Sequence, residues 1–161
     1  MKRIAVLFVI SMVILQEVVF AANWIWVYSS DTVGYYIDAS SVKRCTQEYK
    51  SGVGTTLYTG PSATHIMYWD KKIFEDESER IKVGRNFQKS SYEDYSDFYY
   101  LIVHEECDKV NGTVYCRTLF MTAYDFDGNV IESTAGPSPW QPLPPDSIGE
   151  YVYEIARQYA R

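Results

Sequence analysis

The chain has 161 residues, 47% of them hydrophobic and 16% aromatic, with fifteen Tyr and a net charge of −6. That length suffices for one domain with a real core and not for two, and the hydrophobic fraction excludes a disordered chain. The acidic balance argues against nucleic acid and anionic lipid as partners.

The first residues, "MKRIAVLFVISMVILQEVVFAANW", place Lys2 and Arg3 ahead of an apolar run from Ile4 to Leu15, which breaks at Gln16 and Glu17. This is the layout of a secretory signal peptide, with Val19 and Ala21, or the less favoured Phe20 and Ala22, in the small-residue positions before a cleavage site. Residues 1–22 are therefore expected to be a signal peptide and residues 23–161 a single domain. An uncleaved anchor is the competing reading, but a run of twelve residues falls short of the about twenty that cross a bilayer core. No Cys precedes Cys45, so no lipoprotein cleavage motif is present. The expected location is secreted, either periplasmic or at the cell surface, with no transmembrane segment after cleavage. Loss of Lys2, Arg3 and Glu17 moves the net charge to −7.

From Trp24 the pattern predicts strands. "WIWVYSS" and "TVGYYID" are short β-rich runs parted by Ser30 and Asp31, as in a hairpin, and "DASSVKR" then reads as one helical turn or a bend. Residues 46–63, rich in Gly, Ser and Thr, read as a long loop. "THIMYWDKKIF" follows as a third strand, and the charged run "EDESER" as a solvated turn.

The stretch "DFYYLIVHEECDKVNGTVYCRTLFMTAYDF" holds two strand runs joined at Asn111-Gly112, the dipeptide that signals a two-residue type I′ turn. Such a turn makes facing residue numbers sum to 223. Ile102 then faces Met121, Val103 faces Phe120, Glu106 faces Arg117, and Cys107 faces Cys116. Alternation makes the cysteine pair a non-hydrogen-bonded one, where Cα atoms lie about 4.5 Å apart, at the short end of disulfide geometry. The register favours a Cys107–Cys116 bridge. A pairing of Cys45 with either cysteine needs the bend after the second strand to reach this hairpin, which the sequence leaves open.

"DFDGN" at 125–129 closes another hairpin into a sixth strand carrying Val130, Ile131 and Ser133. It is like the middle of a calcium loop, but the first ligand position falls on Ala123 and the bidentate Glu position on Thr134, so a turn is the expectation. Five of the six prolines crowd between Pro137 and Pro145, either as a polyproline segment for an aromatic groove or as a strut. The chain ends in a predicted helix: Ser147 with Glu150 forms a capping box, and Ile148, Val152, Ile155 and Tyr159 form one apolar stripe. Arg157 and Arg161 sit where the helix dipole favours cations. Strands followed by a Pro-rich crossover and one amphipathic helix make an α+β fold, with the helix covering one face of an antiparallel sheet.

"WIWVYSSDTVGYYIDASSVKR", "YWDKKIF", "YDFDGNVIES" and above all "PSPWQPLPPDSIGEYVYE" resemble the surface-adhesin protein E-like domain. The resemblance covers nearly all of the chain after the signal peptide. It implies a six-stranded antiparallel sheet with a helix on its concave face, export to the bacterial envelope, and adhesive binding rather than catalysis. The family pattern also implies a disulfide from the position of Cys107 to the C-terminal helix. "IARQYAR" has no Cys, so that staple is absent or moved, with Cys116 the partner the register offers and Cys45 left over. In this frame the proline-rich stretch is a strut, with Pro142, Pro144 and Pro145 restricting the crossover and Trp140 anchoring it on the sheet.

Catalytic and cofactor motifs are lacking. His65 and His104 are the only neutral-pH bases. His104 and Cys107, three apart on a strand, point to opposite faces. The cysteines lack structural-zinc spacing, and Glu105 and Glu106 diverge. No catalytic residue, metal or cofactor is expected. The expected function is a non-enzymatic binding module with protein ligands at the cell surface. It would use the Tyr-rich sheet face away from the helix and the loop at 46–63, with individual binding residues and oligomeric state unassigned. A periplasmic structural or accessory protein without a host ligand is the alternative.

Overall fold

Alternation of apolar and polar residues builds most of this molecule. The computed structural model describes residues 22–45 and 63–161. In chain order these form β1 (Trp24–Ser29), β2 (Val33–Asp38), β3 (Lys43–Arg44), β4 (Ile66–Phe74), α1 (Glu77–Gln88), β5 (Phe98–Val110), β6 (Thr113–Asp125), β7 (Val130–Ala135), β8 (Gln141–Pro142) and α2 (Ile148–Gln158). The strands make one antiparallel sheet in the order β1-β2-β4-β5-β6-β7, with β3 on β4 and β8 on β6. Most of the loop expected at 46–63 lies outside the described residues, as do the signal-peptide residues up to position 21.

The sheet has eight strands rather than six, and the register shows why. β2 pairs with β4 from Phe74 to Asp70, and β3 pairs with the same edge at Met67 and Ile66. Each two-residue strand continues a long one past an interruption. Between β2 and β3 the Asp38 carboxylate accepts hydrogen bonds from the N–H groups of Asn23 and Ser40 and folds the chain into a bend. Between β7 and β8, Gly136 has φ of 116° and Pro139 follows. The proline-rich stretch then returns to β6, where Gln141 pairs with Cys116 and the Leu143 N–H donates to the Val114 carbonyl at 2.8 Å. It lies along the sheet edge, where a proline's missing N–H costs no ladder bond.

The β5–β6 hairpin turns at Asn111 and Gly112, both with positive φ, as a type I′ turn requires. Its register matches the expected sum down to Glu106↔Arg117 and Glu105↔Thr118, and then slips by one. Val103 faces Met121 and His104 faces Phe120, because a bulge at Leu119 gives β6 an extra residue. The expected pairs Ile102 with Met121 and Val103 with Phe120 are therefore displaced by one position.

Both helices cover the same sheet face. Val152, Tyr153 and Ala156 of α2 are buried against Val27, Ile37, Ile66, Tyr68 and Val114, and the Tyr153 hydroxyl donates to the Thr64 carbonyl at 2.6 Å. The buried stripe is rotated from the expected one: Ile148 and Ile155 are half-buried and Tyr159 is exposed. The capping box is also displaced on one side. The Glu150 N–H donates to Ser147 Oγ, but the Glu150 carboxylate accepts from the N–H of Asp146 rather than of Ser147.

The run "EDESER" is not a solvated turn but the start of α1. Asp76 caps it by accepting from the Glu79 N–H at 2.9 Å, with Glu77 and Glu79 at the positive end of the dipole. Val83 and Phe87 pack on a second cluster around Phe74, Tyr95, Phe98 and Leu101. Gly84 faces the chain before β5 so closely that a Cβ there would lie 2.9 Å from the Tyr95 carbonyl oxygen.

Candidate functional site

The register assigns every strand residue to one of two faces. On the face that neither described helix covers, Trp24, Tyr36, Lys71, Trp69, His104 and Phe120 follow one another across five strands. Trp69 stacks on His104 with centroids 4.6 Å apart and planes 9° apart, and meets Phe120 edge-on at 6.0 Å. The Lys71 ammonium lies 4.8 Å from the Trp24 ring centroid and 5.4 Å from that of Tyr36. Farther along, Tyr100 and Tyr124 stack at 4.6 Å. All eight side chains are half-buried, and neighbouring Trp26 is 61% exposed. Burial lowers the His104 pKa, with Lys43 adding to the effect and Glu106 opposing it, so its stack on Trp69 is between neutral rings. Such a row of aromatic rings offers rigid contact area at low entropic cost.

At the end of this face lies a buried polar cluster. His65 Nε2 is 2.7 Å from Glu106 Oε1, and the Arg117 guanidinium donates to Glu106 Oε2 at 2.7 Å. Trp140 is half-buried here, its ring 6.1 Å from His65 and 4.8 Å from the Arg117 guanidinium. Burial raises the Glu106 pKa, but the hydrogen bonds from His65 and Arg117 and their charges outweigh it and hold the carboxyl below its ordinary value. Cys45 is buried beside them and is the free cysteine among the described residues. Burial first, then the charges of Glu106 and Asp108, push its thiol up to about 12, against the pull of Arg117. A protonated, enclosed thiol is a poor nucleophile.

Ligand atoms of Cys45, His65 and Glu106 lie within 4.8 Å of one another, the spacing a metal ion needs. Both Glu106 oxygens are already engaged, one by an Arg whose charge opposes a cation, so the set reads as a structural ion-pair network. In the second such group, Glu105, Cys107 and Cys116, the sulfurs are bonded to each other.

The disulfide joins Cys107 to Cys116 with Cα atoms 4.1 Å apart, as the hairpin register requires. Cys107 lies on the helix face, opposite to His104. Trp140 meets His65 and Arg117 on the face away from the described helices, while Leu143 of the same stretch packs into the helix-side core. The two side chains straddle the edge of β6. The Asp125 carboxylate accepts from the backbone N–H and side-chain amide of Asn129, which makes "DFDGN" a self-closed turn.

The meeting of Cys45, His65 and Glu106 was not legible in sequence. A turn dipeptide sets the β5–β6 register, but β4 and β5 are joined through α1, so nothing local aligns His65 with Glu106. No family model matches the chain, and no curated protein or solved structure matches it either.

Proposed function

We propose that the chain is a secreted, non-enzymatic binding module of the bacterial envelope, resembling the surface-adhesin protein E-like domain, that holds a protein ligand against its helix-free sheet face and serves adhesion. The observation that carries this reading is the half-exposed aromatic surface running from Trp24 to Phe120 and on to Tyr100 and Tyr124. Aromatic side chains with two torsions, seated on paired strands, lose little freedom when a partner covers them. Six long strands with the C-terminal helix on one face support the resemblance. The disulfide supports an oxidising compartment, and no helix among the described residues is long and apolar enough to cross a membrane.

Fractionation with protease shaving of intact cells tests it. A displayed adhesin is cut, whereas a protein that survives shaving and is released with the periplasm is the accessory protein of the alternative reading. Adherence of cells carrying Trp69→Ala with Tyr100→Ala should fall at least tenfold against the parent. Unchanged adherence at equal surface display would overturn the assignment of this face.

A further inference from the structure

On the opposite side of the sheet, a pocket of about 270 Å³ opens between the first turn of α2 and the strands. Its floor is polar, made by Asp70 and Lys72 of β4, Glu105 of β5 and Tyr35 of β2, and its walls include Leu143 and Val152. Asp70 is 2% exposed, and its carboxylate is reached by a long contact from the Lys72 ammonium, with no well-aligned hydrogen bond to either oxygen from the described residues. Lys72 Nζ stands 3.4 Å from Asp70 Oδ1 and 3.3 Å from Glu105 Oε1, so one ammonium is shared between two carboxylates. Buried acids without hydrogen bonds are costly, and native proteins rarely keep them without use.

We propose that this pocket binds a primary alkylammonium group, carried by a free amine or by a lysine side chain of a protein partner, with Asp70 as its counter-charge and Leu143 and Val152 along its alkyl chain. With all three groups ionised the floor has one negative charge in excess, which a single cation neutralises and an anion worsens. An ammonium brings three donors to a floor whose Asp70 oxygens need them, whereas a hydroxyl brings one. Burial pushes the Asp70 carboxyl up to about 8, Glu105 adding to this and Lys72 opposing it. Tyr35 of β2 and Tyr68 of β4 have raised pKa values and stay neutral. The pocket residues from β6 and α2 are Cys116, held in its disulfide, and the non-titrating Ile148, Gly149 and Val152. Binding of a cation then expels the Asp70 proton, so affinity should rise with pH up to that value. This site is separate from the aromatic face, and its failure would leave the adhesion reading standing.

Calorimetric titration of the purified full chain with n-hexylammonium chloride, with 1-hexanol as the uncharged control, tests the idea. Saturable hexylammonium binding should tighten by up to about tenfold per pH unit between pH 6 and 8, and Asp70→Asn should abolish that dependence and weaken binding at least tenfold at pH 8. Amide NMR shifts on the unsubstituted chain should move at Lys72, Gly149 and Val152. A peptide with an internal lysine that binds more tightly than hexylammonium assigns the group to a protein partner; tighter binding of the free amine assigns it to a small molecule. Equal binding of hexanol, binding unaltered in Asp70→Asn, or shifts confined to other residues would overturn the proposal.

Discussion

Two buried carboxyl groups in this protein respond to pH with opposite sign. Asp70 has a folded-state pKa raised by burial to about 8, against an unfolded value of about 3.9. Between those values the folded chain holds a proton that the unfolded chain has released, so the group's contribution to stability declines as pH rises through that window. Asp70→Asn should therefore leave the thermal midpoint nearly unchanged at pH 4 and raise it at pH 9; a larger gain at the lower pH would contradict this sign. Glu106 is held below its ordinary value once His65 and Arg117 outweigh burial. Its stabilisation is present above the unfolded value and is lost as pH falls through the folded one. Glu106→Ala should cost about 3 kcal/mol at pH 7 in urea denaturation, as for other broken buried pairs, and progressively less as pH falls below the unfolded value. The hairpin register marked Glu106 through its facing Arg117, but nothing local pointed to His65 as its second partner or set Asp70 apart from other acids in the β-rich runs.

At the scale of elements, local chemistry explains what could be read and what could not. The β5–β6 hairpin was legible because Asn111-Gly112 dictates its turn and the turn dictates the disulfide. Its reach ended at Leu119, where a bulge changes the register without any Gly or Pro to announce it. Helix α1 escaped notice because its exposed face carries the charges while few apolar residues, Val83 and Phe87 among them, meet the core. The capping pair Asp76 and Glu79 was the available signal. Gly84 is where this helix meets the chain before β5, and Gly84→Ala sets two effects against each other. Better helix propensity gains about 1 kcal/mol, whereas a methyl 2.9 Å from the Tyr95 carbonyl forces a backbone shift of about 1–3 kcal/mol. The variant should be destabilised by up to about 2 kcal/mol in chemical denaturation, and stabilisation would show that α1 moves freely over this segment.

Among the described residues, two helices close one face of the sheet and none covers the other. Truncation after Pro145 removes Val152, Tyr153 and Ala156 from the larger core cluster. At about 1.5–3 kcal/mol for each large apolar side chain, the loss approaches the 5–15 kcal/mol that holds a typical domain together. The truncated chain should show no cooperative unfolding transition, and an unchanged midpoint would make α2 an appendage. The sheet and its terminal helix were legible in outline because period-two and period-3.6 patterns are local. A covered face and an outward face were also expected, but the second helix on the covered side was not, since its charged start reads as a solvated turn.

The covalent bridge near the top of the hairpin has a practical consequence. Cys107–Cys116 lies four rungs below the turn, and a Cβ at Gly112 would meet no atom within 4 Å. Strand alignment below the bridge thus survives if the apex is opened, so a foreign epitope can be spliced between Asn111 and Gly112 without shifting the pairing that forms the core. Each doubling of the inserted length should cost only about 0.6 kcal/mol, which makes this apex a natural grafting point for displaying peptides on the fold.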